Sequence, residues 1–171
     1  MQIIKYIILF LIFIASSMLG KLLSKKYEER LEELEELKTA LNFFKTKIKF
    51  TYNTIPEIFK EISENTTQNV SYIFKSTIKN LKENTISKAF DKAIDDSRNI
   101  TNLTDEDARV LKLLSKQLGN TDIEGQVSQI EITENFLDVQ IKQAQEEKDK
   151  NQKLYQKLGT TIGLVIVILL V

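Results

Sequence analysis

The densest set of reactive side chains in this sequence is acidic. Glu28, Glu29, Glu32, Glu33, Glu35 and Glu36 fall within one short run. Histidine and cysteine are both absent. That removes the usual general acid–base residue, the thiol nucleophile, the commonest metal ligands and any disulfide. Carboxylates and lysines remain as possible reagents. Asp105, Glu106 and Asp107 are spaced to start a helix, where carboxylates meet the positive end of the dipole, rather than to hold a metal. No phosphate loop, nucleophile elbow or zinc spacing is present. The chemistry available therefore points to a protein that is not an enzyme, with no cofactor and no small-molecule substrate. On a helix Glu28 faces Glu32, Glu29 faces Glu33 and Glu32 faces Glu36, and each like-charge pair costs roughly 0.2–0.5 kcal/mol. Two readings follow. The run is a docking strip for a basic partner, with Glu28, Glu29, Glu32, Glu33 and Glu36 as its contact residues. Or it is a solvated face balanced by Lys25, Lys26, Arg30 and Lys38.

What positions this run is set by hydropathy. From Leu158 to Val171 no side chain is charged, and a second apolar stretch runs from Tyr6 to Leu19. Every charged residue except Lys5 lies between them. The last 14 residues rise about 21 Å as a helix, and Leu154 and Tyr155 extend this to about 27 Å, against a bilayer core of about 30 Å. Leu164 to Val171 leaves no polar face for water, and Lys157 is placed to snorkel. At the other end, Tyr6 to Leu23 is about one span long. Ala15, Ser16 and Ser17 are also small enough for a signal cleavage site, so anchor and cleaved signal both stand, with the anchor preferred. The expected division is an N-terminal transmembrane helix over 1–23, a helical bundle over 24–157 and a C-terminal transmembrane helix over 158–171.

The chain holds 24 basic and 24 acidic residues, one proline and five glycines. The balanced charge argues against nucleic acid as a partner. Few breakers permit long helices. Leu23, Tyr27, Leu31, Leu34, Leu37, Leu41, Phe44 and Ile48 make one helical stripe, continuous with the first apolar segment. Leu31, Leu34, Leu37 and Leu41 fit either an intramolecular core or a coiled-coil seam between two copies. Thr54, Pro56 and Glu57 start a second helix with a capping box. A third carries Val70, Ile73, Phe74, Ile78 and Leu81. A short fourth carries Ile86, Ala89, Phe90, Ala93 and Ile94, and Ser97 to Asn102 reads as the loosest loop. Thr104 caps a fifth with Leu111, Leu114 and Leu118, stopped by Gly119. Thr121 with Glu124 reads as the cap of a sixth, which runs on into the apolar tail. No strand signal is present. The predicted fold class is all-α, six helices, with both terminal helices entering a membrane.

Lys21, Lys25, Lys26 and Arg30 flank one apolar segment on the bundle side, and Lys148, Lys150, Lys153 and Lys157 flank the other. The positive-inside rule then places the bundle in the cytoplasm. Gly159 and Gly163 have the small-xxx-small spacing that lets membrane helices approach closely. They would pack against the N-terminal span or a second copy, or simply reflect the frequency of glycine in membrane helices.

As a set, these residues resemble the stage III sporulation protein AB family of endospore-forming bacteria, over essentially the whole chain. The order of elements carries the likeness: an N-terminal span, Leu37-Lys38-x-Ala40-Leu41, then Ile48 and Tyr52 leading to Pro56. So do Leu118-Gly119-x-x-Asp122-x-x-x-Gln126 and the ending Leu158-Gly159-x-x-x-Gly163-Leu164. Ile55-Pro56-Glu57-Ile58 lacks the leucine usual after the family's proline. The resemblance implies a six-helix bundle like the F-domain of type II secretion and type IV pilus platform proteins. It implies an inner-membrane platform component of a secretion-like channel between mother cell and forespore, seated in the mother-cell membrane and facing a cytoplasmic assembly ATPase and other channel subunits. On that view the acidic strip and the junction residues Gly119, Asp122 and Gln126 are candidate partner-binding residues, and the chain is a possible homo-oligomer. The alternative is a membrane-tethered scaffold or a sensory or regulatory two-span protein without an ATPase partner.

Overall fold

The computed structural model describes residues 2–51 and 53–170. Tyr52, Val171 and the side chain of Lys5, which enter the expectations above, lie outside the described residues. The described residues form six α-helices and no strand. They are α1 (Gln2–Phe50), α2 (Ile55–Glu64), α3 (Gln68–Asn80), α4 (Ile86–Asp96), α5 (Asp105–Ser115) and α6 (Ile123–Leu170). As the unbroken periodicity predicts, α1 is one helix of 49 residues and α6 one of 48. Two compact units result. One joins the α1 segment up to Leu31 to the α6 segment from Gln143, and the other is Glu32–Lys142.

The unit Glu32–Lys142 is built round four phenylalanines, one from each of α1 to α4. Phe59 lies 5.2 Å from Phe44, 5.2 Å from Phe74 and 5.6 Å from Phe90, ring centre to ring centre. All four are essentially inaccessible. Edge-on and tilted geometry suits the ring quadrupoles, and each such side chain contributes about 1.5–3 kcal/mol by leaving water. Leu34, Leu37 and Leu41 are buried in the same unit. The apolar stripe of α1 is therefore consumed inside one chain, and the coiled-coil seam between copies is not needed to cover it.

Local signals set the helix starts. The Glu57 carboxylate accepts the Thr54 backbone N–H at 2.7 Å, with Pro56 in the first turn where its missing donor costs nothing. Thr104 Oγ1 accepts the Asp107 N–H at 3.3 Å while Asp107 accepts the Thr104 N–H at 2.8 Å. The left-handed stop expected at Gly119 is present, with φ 71°, reached by a turn after the regular part of α5 ends at Ser115. Two expectations are corrected. The cap of α6 is Asp122, not Thr121 with Glu124. The helix begins one residue later than that box requires, and Asp122 Oδ1 accepts the Gly125 N–H at 2.8 Å. Nor is Ser97–Asn102 loose: Ser97 and Thr101 are buried, and Thr101 Oγ1 donates to the Ser97 carbonyl at 3.1 Å.

Candidate functional site

The acidic run is not one face. In the terminal unit, Glu29 pairs with Lys25 at 2.8 Å and Glu28 approaches Lys148 to 3.6 Å. Arg30 is nearly buried and donates to Glu147 at 2.7 Å. In the unit Glu32–Lys142, Glu32 and Glu35 face solvent. Glu33 does not. It is 4% exposed and accepts from Asn69 Nδ2 at 2.7 Å, the Asn102 backbone N–H at 2.7 Å and Asn102 Nδ2 at 3.2 Å. This carboxylate ties α1 to the start of α3 and to the α4–α5 loop. Glu36 accepts the Thr67 N–H at 2.6 Å and the Thr67 hydroxyl at 2.5 Å, so α1 supplies the cap of α3. Lys38 pairs with Asp138 at 2.5 Å, on α6, rather than with the run. The like-charge cost read from spacing is thus relieved by sending successive carboxylates to different partners. Glu33 is corrected from contact residue to internal bracket, because its oxygens are occupied and hidden. Beside the exposed Glu35, a groove of about 670 Å³ is lined by Thr39, Asn42, Phe43, Asp138 and Ile141 among others.

The α5–α6 junction is also mainly a positioning device. At Gly119 a β-carbon would lie 2.5 Å from Ile86 Cγ2, and the positive φ excludes most side chains in any case. Asp122 is exposed and caps α6. Gln126 is buried, and its amide donates to the Thr121 carbonyl at 3.0 Å, closing the turn. Of the junction residues, Asp122 is the one whose side chain is exposed.

Of the acids expected to start α5, Asp107 is buried in the Thr104 cap, Asp105 pairs with Arg98 and Glu106 with Arg109. Asp95 binds Lys112 at 2.6 Å and Arg98 at 3.1 Å, and the lysine hydrogen bond foremost holds its carboxyl below the usual range.

In the terminal unit, Gly159 and Gly163 meet the N-terminal helix. A β-carbon on Gly159 would stand 2.8 Å from the Ser16 carbonyl and 3.0 Å from Gly20 Cα. One on Gly20 would stand 2.6 Å from the Tyr155 carbonyl, and one on Gly163 would stand 3.1 Å from Ser16 Cβ. Ser16 Oγ donates to the Gly159 carbonyl at 2.7 Å. Backbones this close exclude any larger residue. Sequence reasoning missed Ser16 and Gly20 as the partners, although Ser16-x-x-x-Gly20 has the same spacing as Gly159-x-x-x-Gly163. Further out, Tyr27 and Tyr155 stack with centres 6.0 Å apart. Both helices are long and apolar enough to cross a membrane, and their apolar windows are mostly not buried within the chain.

The profile of the stage III sporulation protein AB family matches residues 5–171. Stage III sporulation protein AB of Bacillus subtilis (strain 168) is 24% identical over 161 residues, covering 93% of this chain and 94% of that protein. A solved structure of a stage III sporulation protein AB superposes with a TM-score of 0.66 at 20% identity, covering 70% of this chain and 96% of that one.

Proposed function

Because this chain belongs to the stage III sporulation protein AB family, we propose that it is a non-enzymatic platform component of the mother cell–forespore channel. On this reading residues 1–23 and 158–171 are its membrane helices, and 24–157 face the mother-cell cytoplasm. There the domain couples a cytoplasmic assembly ATPase and other channel subunits to the membrane complex. The observation that carries the reading is a family match that takes in both apolar helices and the charged middle together. The lysines flanking both apolar segments support a cytoplasmic domain. Tyr27 and Tyr155 fit the headgroup level, where amphipathic rings are favoured. The surface offered to the ATPase is the exposed part of the two candidate regions: Glu32 and Glu35 on α1, and Asp122 at the junction. Glu33 and Gln126, both buried, stand behind that surface, and with Glu36 and Gly119 they position it.

Sidedness is the test. The chain has no cysteine, so Glu83→Cys, an exposed position in the α3–α4 turn, is a single reporter. A membrane-impermeant maleimide should label it only after lysis. Labelling of intact cells would put the domain outside and remove direct ATPase contact. If the domain is inside, Glu32→Lys with Glu35→Lys should reduce co-purification of the ATPase, and unchanged recovery would discard the acidic surface.

A further inference from the structure

The terminal unit carries a basic collar. Its two helices meet closely at Gly20 and Gly159, and they are tied again by Arg30 and Glu147, 2.7 Å apart. Between those two rungs lie Lys21, Lys25 and Lys26 on α1 and Lys150, Lys153 and Lys157 on α6, all exposed. Neither the stretch 20–27 nor the stretch 150–159 contains a carboxylate. The acids nearer the second rung are engaged: Glu29 with Lys25, Glu28 with Lys148, and Asp149 with Gln145 at 2.9 Å. Among the described residues, Lys21, Lys26, Lys150, Lys153 and Lys157 have no carboxylate partner. Lys26 stands over the Tyr27 ring, 5.0 Å from its centre. Exposed Leu22, Leu23 and Leu154 are interleaved with the lysines. Like charges gathered round one helix pair repel one another, and the terminal unit supplies this level with no counter-charge.

We propose that the collar gathers phospholipids of net negative headgroup charge round the helix pair, which rests on the membrane placement proposed above. The lysines take the headgroup phosphates and the interleaved leucines lie along the acyl chains. That pairing selects the occupant. An acidic protein segment would satisfy the lysines and leave the leucines in contact with charge, whereas an anionic lipid matches both. Lysine stems suit this position, since they lie along apolar surface while the ammonium reaches the headgroup level. A cluster of four or more lysines just outside a membrane helix is the pattern that attracts anionic lipid.

The test uses the full chain. It has no tryptophan, so Leu158→Trp, beside Lys157, and Leu169→Trp, near the far end of α6, are single reporters at exposed positions. Each variant is reconstituted in phosphatidylcholine vesicles that contain either brominated phosphatidylglycerol or brominated phosphatidylcholine as quencher. At Leu158→Trp the anionic quencher should compete about fivefold better than the zwitterionic one, equivalent to one lysine's attraction at the surface. At Leu169→Trp the two should compete equally. Replacing Lys21, Lys26, Lys153 and Lys157 together by Gln should bring the ratio at Leu158→Trp below about twofold. Quenching by the zwitterionic lipid should persist in that variant, which shows that the helix is still inserted. Equal competition at Leu158→Trp in the parent overturns the proposal and leaves the membrane placement standing. So does a ratio that survives the lysine replacements. A ratio abolished by inorganic phosphate at matched ionic strength overturns it too, since the collar would then take free phosphate rather than lipid. If neither quencher reaches either reporter, the membrane placement itself falls, and the proposal with it.

Discussion

Replacing Glu33 separates a structural bracket from a surface acid. Its carboxylate is 4% exposed and accepts hydrogen bonds from Asn69 Nδ2, Asn102 N and Asn102 Nδ2. Hydrogen bonds to a charged group contribute about 1.5–3 kcal/mol each, while a buried donor left without a partner costs about 1–3 kcal/mol. Both asparagines are half-buried, so water recovers part of the loss. Glu33→Ala should then destabilise the fold by about 2–4 kcal/mol, after a small gain in helix propensity. Glu33→Gln keeps the shape but turns an amide toward donors, and should cost about half as much. Glu32→Ala and Glu35→Ala, one on either side in solvent, should stay within about 0.5 kcal/mol of the parent. The assay is urea unfolding of the full chain in mild detergent, followed by far-UV circular dichroism. If Glu33→Ala unfolds at the same midpoint as Glu32→Ala, with equal slopes, the bracket does not carry stability and the argument fails.

The helix crossing makes a second prediction. Gly159→Ala puts a methyl 2.8 Å from the Ser16 carbonyl, and should cost about 1–3 kcal/mol through overpacking, read as a lower thermal midpoint in detergent. An unchanged midpoint would mean the two helices part freely. Gly119→Ala meets both the positive φ of 71° and the Ile86 methyl, and should cost about 1–2 kcal/mol from backbone strain alone. A neutral or stabilising effect in the same melt would contradict the turn described. Acid stability makes a fourth. The Thr54 backbone N–H, then its side chain, holds the Glu57 carboxyl below its ordinary range, and Lys112 foremost holds Asp95 there. A depressed folded-state pKa contributes stability that is complete above the unfolded carboxylate values of about 4 and is lost as pH falls through the lower folded-state value. Stability should therefore fall on acidification below about pH 4. Asp95→Asn with Glu57→Gln should flatten that fall. A double variant that keeps the full acid slope would show that other groups set it.

Much of this fold was legible because its signals are local. Capping at Thr54 with Glu57 and at Thr104, the left-handed stop at Gly119 and the two unbroken terminal helices follow from neighbours within a few residues. The acidic run was misread in part for the opposite reason. Periodicity places Glu33 and Glu36 on α1, but their partners Asn69, Asn102 and Thr67 come from later elements, and no spacing reports them. The same limit hid Asp122. A capping-box pattern at Thr121 and Glu124 and a lone aspartate at the next position are both acceptable starts, and the burial of Gln126 against the Thr121 carbonyl selects between them.

Taken by itself, the sequence determined the class of protein: six helices, apolar ends, a neutral charged middle and no histidine or cysteine with which to do common chemistry. Those features depend on composition and on repeats of three and four residues, which a chain carries whatever it folds against. Tertiary structure alone decided which small residues let the terminal helices touch, and which glutamates are brackets and which face water. Each of these is a pairing between residues far apart in the chain. Such pairings are chosen by the geometry of packed helices, where a rotation by one residue, about 100°, changes every partner.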